Sequence, residues 1–274
     1  MRARAIRDLV RLSDKALFEE VSAGLDLVFK NASRLDEDAK ALWDEGRSQG
    51  SEILTAIGAE EAAKFLILID AIRCPSDRLS SQLNRFYDHL AKGIYAECCE
   101  WRAGSLGQLD SYDREELAEF YLDGPNDVDW IFPNRIKRER EQQLYVDYAA
   151  TDDGHYWTEP RGNELFSLRS NPRVLVLVGA MHAAGFATSK ALETIAEIWR
   201  PVRMHDDFPW HKLRDLNTET VDAISSLTGS PVPAEDYEQV IDLWPFPLNT
   251  LGLSIISVDK EDLRNIQRAW SPDL

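Results

Sequence analysis

The stretch from Ser48 to Arg73 constrains the fold of this chain more than any other segment. It is the longest apolar run in the sequence, yet it carries Glu60, Glu61 and Lys64 near its middle. Because an unpaired charge loses its hydration when it is buried, these side chains need partners inside a folded protein. We therefore expect them to form either a paired structural lock or part of a functional site.

A helical projection of this run, at about 100° per residue, separates two sides. Ile53 and Ile57 project in nearly the same direction as Glu60 and Lys64, whereas Thr55 projects with small alanines on the opposite side. The projection predicts a charged cluster inside the apolar face. The four-residue spacing also predicts an ion pair between Glu60 and Lys64.

The composition bounds the class of protein. With 274 residues and 44% hydrophobic residues, the chain can form a sizeable core. The net charge of -17 gives no support for nucleic-acid binding by the surface as a whole. Three cysteines, of which Cys98 and Cys99 are adjacent, do not make a disulfide framework. With no continuous apolar run at the start and charges interrupting the central one, we expect a cytoplasmic protein without a signal peptide or membrane span.

The first hundred residues predict four helices. Apolar residues at helical spacing predict helices over 12–30, 34–47 and 78–101, in addition to the central helix. Asn31, Ala32 and Ser33 offer a cap between the first two, and short breaks separate the others. Helices joined by short connections pack antiparallel, which predicts a bundle.

The remainder of the chain is less regular but still mostly helical. Residues 103–133 are rich in Gly, Asp and Pro and predict an extended connection with a short helix over 112–121. Residues 144–148 alternate as a strand does, and 173–200 predict two helices broken near Gly185 or one bent helix. Further helical pieces are expected at 218–227, 233–243 and 260–270.

These patterns predict a mainly α fold with room for one small β-hairpin. We divide the chain into a helical bundle over 12–102, a connecting segment over 103–170 with a basic run, and a helical region over 171–274.

The segment around Arg85 and His89 has the residue types that cleave RNA without metal. On one helix the two side chains would share a face, with Lys92 one turn further along. A histidine can take a proton from a ribose 2′-OH or give one to the leaving oxygen, and Arg or Lys can stabilise phosphate charge. The alternative is a solvated face on which Asp88 pairs with Lys92.

A basic run in this acidic chain is the second candidate for RNA contact. The alternatives are a surface helix of mixed charge or a segment near an RNA or an acidic partner. The run contains Arg135, Lys137, Arg138 and Arg140.

The sequence predicts no metal site and no cofactor. His155, His182, His205 and His211 form no metal-spaced pair, and no P-loop or Gly-rich dinucleotide fingerprint is present.

Several segments, in order, resemble AbiV-type abortive infection proteins. The first resembles a helix with the pattern A-x-x-L-x-x-D-A-x-x-L, followed by Gly-Arg and then E-E-x-x-K. A second resembles F-x-x-H-x-x-K, and a third a tyrosine-rich strand followed by Trp and Pro. The matching residues are Ala32, Leu35, Asp38, Ala39, Leu42, Gly46, Arg47, Glu60, Glu61, Lys64, Phe86, His89, Lys92, Leu144, Tyr145, Val146, Asp147, Trp157 and Pro160.

The resemblance implies a HEPN-like antiparallel helical bundle in a prokaryotic anti-phage system. HEPN proteins are commonly homodimers, and many are metal-independent ribonucleases with an Arg and a His from each subunit at the interface. The interval of three residues between Arg85 and His89 is shorter than the family motif has. The catalytic arginine could then come from Arg47 or from the basic run.

Two hypotheses follow. In the first, the chain is an RNA-targeting toxin or ribonuclease that arrests translation in infected cells. In it His89 is the general acid or base, Arg85 and Lys92 stabilise phosphate charge, and Glu61 and Lys64 position them. The candidate binding residues are Glu60, Asp88, Arg47, Arg135, Lys137, Arg138 and Arg140. In the second hypothesis, the chain is a non-catalytic helical dimer that senses or binds a phage or host protein.

Overall fold

The computed structural model describes residues 4–122, 131–151, 154–160, 171–229 and 231–270. The protein is mainly α. After a short 3₁₀ helix at Ile6–Arg11, two long helices, α1 (Asp14–Asp44) and α2 (Ser48–Arg73), form an antiparallel hairpin. Gly46 adopts a left-handed φ of 74° in the tight connection, a conformation that glycine tolerates best.

The prediction of two separate helices over 12–30 and 34–47 is wrong, because α1 continues through Asn31 and Ser33. Ala32 lies beneath the second helix, where a Cβ placed on Gly58 would be 3.7 Å from the Ala32 carbonyl oxygen. Close packing against α2 therefore holds residues 31–33 helical, although their side chains favour caps.

The predicted buried face of α2 is also wrong in its first half. The buried side consists of small residues, and Ile57 is 39% exposed. The close approach of the two backbones explains the choice of small residues. From residue 65 to residue 73 the helix is buried all round. The buried small residues before residue 65 are Ser51, Thr55, Gly58, Ala62 and Ala63.

The segment predicted as one helix over 78–101 is divided. It comprises a 3₁₀ turn at Ser76–Arg78, α3 (Leu79–Asn84), a second 3₁₀ turn at Arg85–Tyr87 and α4 (His89–Glu97). Asp88 begins α4, since its carboxylate accepts hydrogen bonds from the amides of Leu90 and Ala91.

The next part of the chain is more structured than the sequence predicts. Helix α5 (Leu106–Glu116) begins and ends earlier than the expected helix over 112–121, and strands β1 (Phe120–Leu122) and β2 (Ile131–Pro133) pair antiparallel. Helix α6 (Arg135–Leu144) contains the basic run. Strands β3 (Asp147–Thr151) and β4 (Gly154–Thr158) form a second antiparallel ribbon, so the described residues hold two small sheets.

The helical prediction for the C-terminal region is confirmed. Helices α7 (Arg173–Ala183) and α8 (Ser189–Trp199) are broken at Gly185, whose φ is 88°. They are followed by α9 (Trp210–Thr228), α10 (Ala234–Leu243), a 3₁₀ turn at Leu248–Thr250 and α11 (Lys260–Trp270).

One hydrophobic core joins the three segments distinguished in the sequence. Helices α7 and α8 pack on α1 and α2, and α9 and α10 pack outside them. Buried aromatic residues close the core, with Trp244 between Phe186 and Trp199 at centroid distances of 5.4 and 4.9 Å. In the described part of the chain, no helix combines the length and the apolar character needed to cross a bilayer.

Candidate functional site

Four side chains from three helices meet at Glu60 on α2. His89 and Lys92 of α4 approach the same carboxylate oxygen: His89 Nδ1 lies 2.8 Å and Lys92 Nζ 2.6 Å from Glu60 Oε2. Arg140 of α6 donates from Nε to the other oxygen at 3.1 Å. We call Glu60, His89, Lys92 and Arg140 the Glu60 cluster.

The cluster is closed on one side and open on the other. The side chain of Lys92 is 5% exposed and that of Glu60 19%, whereas that of His89 is 54% exposed. The buried ammonium and carboxylate satisfy each other, as groups with little access to water must. The imidazole is therefore the part of the cluster most accessible to a large ligand, followed by the guanidinium of Arg140, which is 37% exposed.

The carboxylate of Glu60 is held in its charged form. Burial would raise the pKa of Glu60, but the hydrogen bond and charge of Lys92, followed by those of His89, outweigh burial and leave the pKa below its ordinary value. At neutral pH the ionised Glu60 can therefore accept a hydrogen bond from a ring N–H of His89.

The two ring nitrogens of His89 are in different surroundings. Nδ1 faces Glu60 and also lies 3.3 Å from Lys92 Nζ, while Nε2 has no hydrogen-bond partner among the described residues. With a proton on Nδ1 donated to Glu60, Nε2 presents a lone pair to solvent. This is the tautomer that a general base requires.

The closeness of α4 and α6 brings Arg140 to the cluster. Ile136 packs on Gly93, where an added Cβ would lie 2.3 Å from Ile136 Cγ2, so only a residue without a side chain allows this contact. Arg140 follows Ile136 by one helical turn and thus lies on the same face of α6. The four-residue spacing of Ile136 and Arg140 is visible in the sequence, but the packing of Ile136 against Gly93 is not.

The other basic residues of α6 serve mainly the fold. Arg135 pairs with carboxylates of three elements, among them Glu97 at 3.1 Å and Glu116 at 3.0 Å. Arg138 lies over the Phe132 ring at 4.5 Å. Lys137 is exposed and has no ion-pair partner among the described residues.

Arg85 does not share a helix face with His89, which corrects the expected Arg–His pair. The helix break at Asp88 separates them, and the Arg85 guanidinium donates to the Leu248 carbonyl at 2.6 Å and to the Leu251 carbonyl. The alternative, a solvated face on which Asp88 pairs with Lys92, is likewise wrong, because Asp88 caps α4 and Lys92 contacts Glu60.

The predicted ion pair between Glu60 and Lys64 is also replaced. Lys64 instead contacts Glu61, which accepts a second hydrogen bond from Asn31 at 3.0 Å. The Lys64 ammonium lies 5.3 Å from the Phe86 ring centroid. Glu61 and Lys64 thus form their own pair beside the Glu60 cluster, and Glu60 is the acid that contacts His89.

Arg47 lies far from these residues. It precedes α2 and pairs loosely with Glu45 at 3.9 Å. The intervening helix up to Glu60 is about 20 Å long. Arg140 is therefore the arginine that the structure brings to His89's carboxylate partner.

The described residues contain no group of three or more His, Cys, Asp or Glu side chains that could hold a metal ion. Cys74, Cys98 and Cys99 are buried and free. His182 is engaged elsewhere, with Nε2 3.1 Å from Asp26 and its ring stacked on Phe29.

A family model described as AbiV, of the HEPN type, matches residues 20–163, from within α1 to beyond β4. No curated protein and no solved structure matches the chain. Since the matched residues make up more than half of the 274, the chain belongs to the AbiV family of HEPN-type abortive-infection proteins.

Proposed function

We propose that this protein acts in anti-phage defence as an RNA-targeting effector, a metal-independent ribonuclease with His89 at its centre. The observation that carries the proposal is the 2.8 Å contact between His89 Nδ1 and Glu60, which leaves Nε2 free on an exposed side chain. A carboxylate that accepts a hydrogen bond from Nδ1 holds the imidazole in the tautomer whose Nε2 can accept a proton, and fixes the orientation of the ring.

The proposed reaction is an internal transesterification of RNA. His89 Nε2 takes the proton of a ribose 2′-OH, and the 2′-oxygen attacks the adjacent phosphorus. The bond from phosphorus to the 5′-oxygen breaks, which leaves a 2′,3′-cyclic phosphate on one fragment and, after protonation, a 5′-OH on the other. Glu60 stabilises the imidazolium that forms during the first step.

The cations of the cluster favour a phosphate at this place. With His89 neutral, the positive charges of Lys92 and Arg140 exceed the negative charge of Glu60. A local excess of positive charge is what an RNA backbone needs in a protein whose net charge is -17. Arg140, which is 37% exposed, is the cation that can move towards a phosphate oxygen.

One copy of the cluster offers one imidazole, whereas the reaction needs a base and an acid. We propose that a second copy of the chain contributes its own His89 to protonate the leaving oxygen. This agrees with the homodimer that family membership leads us to expect.

The direct test incubates purified protein with a single-stranded RNA of mixed sequence in the presence of EDTA. We expect His89→Ala to lower the cleavage rate about 100-fold or more. His211→Ala is the matched control, because His211 is exposed on α9 and away from the cluster. Fragments ending in 2′,3′-cyclic phosphate would support the mechanism, and equal cleavage by His89→Ala would remove His89 from it.

A second candidate function is favoured by the position of Arg85. Because its guanidinium is held by the carbonyls of Leu248 and Leu251, it is not available to a phosphate at His89. The chain could then bind a phage or host protein without chemistry of its own. In that case wild type and His89→Ala would restrict phage equally, and neither would cleave RNA.

A further inference from the structure

The ribbon formed by β3 and β4 displays a row of aromatic rings on one face. Tyr148 pairs across the strands with Trp157, and Ala150 pairs with His155. Side chains two residues apart on a strand share a face, so Tyr148, His155 and Trp157 lie together. The Tyr148 centroid is 4.9 Å from that of Trp157 and 5.7 Å from that of His155. We call these three residues the ribbon face.

The ribbon face is open to solvent. Trp157 is 71% exposed and Tyr148 54%, and neither belongs to the hydrophobic core. A two-stranded ribbon by itself is marginally stable in water. Exposed tyrosine and tryptophan of this kind are the residues that most often anchor protein partners.

The charges around the ribbon select the kind of partner. Residues 141–159 contain five carboxylates and neither lysine nor arginine. Glu141, Asp147 and Glu159 are exposed, and Asp152 and Asp153 lie outside the described residues. Such a segment repels phosphate and attracts cations.

We propose that the ribbon face docks an arginine-rich segment of another protein. Guanidinium groups stack on aromatic rings and also pair with carboxylates, and the ribbon and its flanks offer both exposed rings and exposed acids. The chain already uses this contact internally: Arg102 lies 4.1 Å from the Trp210 centroid, and Arg138 lies 4.5 Å from that of Phe132. Lysine lacks the planar group and binds more weakly at such a face.

The docking surface is separate from the proposed RNA site. None of the three ribbon-face residues contacts Glu60, His89, Lys92 or Arg140. The two proposals can therefore fail independently. A protein that does not cleave RNA can still bind the arginine-rich segment, and a protein that does not bind this segment can still cleave RNA.

The test measures fluorescence anisotropy of a short labelled peptide of alternating arginine and glycine, titrated with the full chain. We expect Trp157→Ala and Tyr148→Ala each to weaken binding about five- to tenfold. Trp270→Ala is the matched control, because it removes a tryptophan that is 51% exposed on α11 and should leave affinity unchanged. Glu159→Lys keeps the rings and should weaken binding roughly two- to fivefold.

The ring substitutions keep the net charge constant, which separates stacking from general attraction to an acidic protein. A lysine–glycine peptide of the same length should bind at least about threefold more weakly than the arginine peptide. Equal peptide binding by wild type and both ring variants would overturn the proposal. So would absence of binding, or binding of a labelled single-stranded RNA that depends on Tyr148 and Trp157 in place of the peptide.

Discussion

Helix α2 carries two charged groups, about 15 Å apart along its axis, that differ in what encloses them. Around Asp70, both carboxylate oxygens accept hydrogen bonds inside the core: from Arg73 Nε at 2.5 Å, from the Tyr95 hydroxyl at 2.6 Å and from the Leu248 amide at 2.9 Å. Around Glu60, the carboxylate is also well bonded, but one of its partners, His89, is half exposed.

The difference separates a structural lock from a candidate site. Asp70 and Arg73 are each 1% exposed at the side chain, and they tie α2 to the segment that follows α10, where Arg73 also donates to the Pro245 carbonyl. The Glu60 cluster ties three helices as well, yet it leaves a ring nitrogen towards solvent. Ion pairing alone therefore does not distinguish the two groups, whereas access to an unbonded nitrogen does.

The largest effect should come from removing the buried acid. We expect Asp70→Ala to lower the free energy of unfolding by about 3–5 kcal/mol, because Arg73 would remain buried without its partner. The same change at Glu60 should cost less, about 2 kcal/mol, because His89 and Arg140 remain open to water and only Lys92 loses its partner in a buried place. Urea unfolding of both variants measures the difference, and equal losses would show that the Glu60 cluster is also a lock.

Replacing Arg85 should destabilise the fold less than replacing Asp70, but more than replacing His89. Arg85→Ala removes the hydrogen bonds to the carbonyls of Leu248 and Leu251, and we expect it to lower the free energy of unfolding by about 2 kcal/mol. His89→Ala removes a half-exposed side chain and should change it by less than about 0.5 kcal/mol. Denaturant unfolding of the two variants, side by side with wild type, measures both changes.

The opposite ranking would show that Arg85 is free to act and that His89 belongs to the fold. Arg85→Lys serves as the control for charge, because it keeps the cation but not the fork of donors.

Sequence periodicity was sufficient for α2 and for the helical character of the C-terminal region. The span of α2 and the break at Gly185 follow from apolar spacing and from glycine, which act locally. The charged residues of α2 that the sequence singles out lie in the part of the helix where the Glu60 cluster forms. The sequence could not show which carboxylate pairs with which cation. Glu60 pairs with Lys92 on another helix, and Lys64 pairs with Glu61 at a spacing of three residues.

The errors have a shared physical origin in tertiary packing. Asn31 and Ser33 favour a helix cap, but contact with α2 keeps α1 continuous. At Asp88 the local signal was present, since aspartate is a preferred N-cap, and it was outweighed by an apolar pattern that ran through the break. Arg140 needed the fit of Ile136 against Gly93, which spacing within one helix does not reveal.

Asp113 is a third acid to compare with Asp70 and Glu60, because it is buried without a charged partner among the described residues. Asp113 of α5 is 1% exposed, its Oδ1 accepts a hydrogen bond from Cys98 Sγ at 3.5 Å, and its Oδ2 has no partner among the described residues. Burial raises the pKa of Asp113 to about 7, and the hydrogen bond from Cys98 offsets only part of this.

Between pH 3.8 and about 7, the folded protein therefore holds a proton on Asp113 that the unfolded chain has released. Stability should fall as the pH rises from the ordinary carboxyl pKa of 3.8 to about 7, and then stay level. Asp113→Asn removes this dependence because the amide does not titrate. We expect it to raise the free energy of unfolding at pH 8 by about 1–2 kcal/mol relative to wild type, with a smaller difference at pH 5.

Chemical unfolding at both pH values measures this difference, with Glu115→Gln, an exposed change on the same helix, as the control. If Asp113→Asn and wild type lose stability in parallel as the pH rises, Asp113 has a partner that keeps it charged. It would then belong with Asp70 among the paired acids of the core. If the slope disappears, burial alone is sufficient to shift a carboxyl in this fold. The charged state of Glu60 must then be credited to Lys92 and His89, the partners that Asp113 lacks.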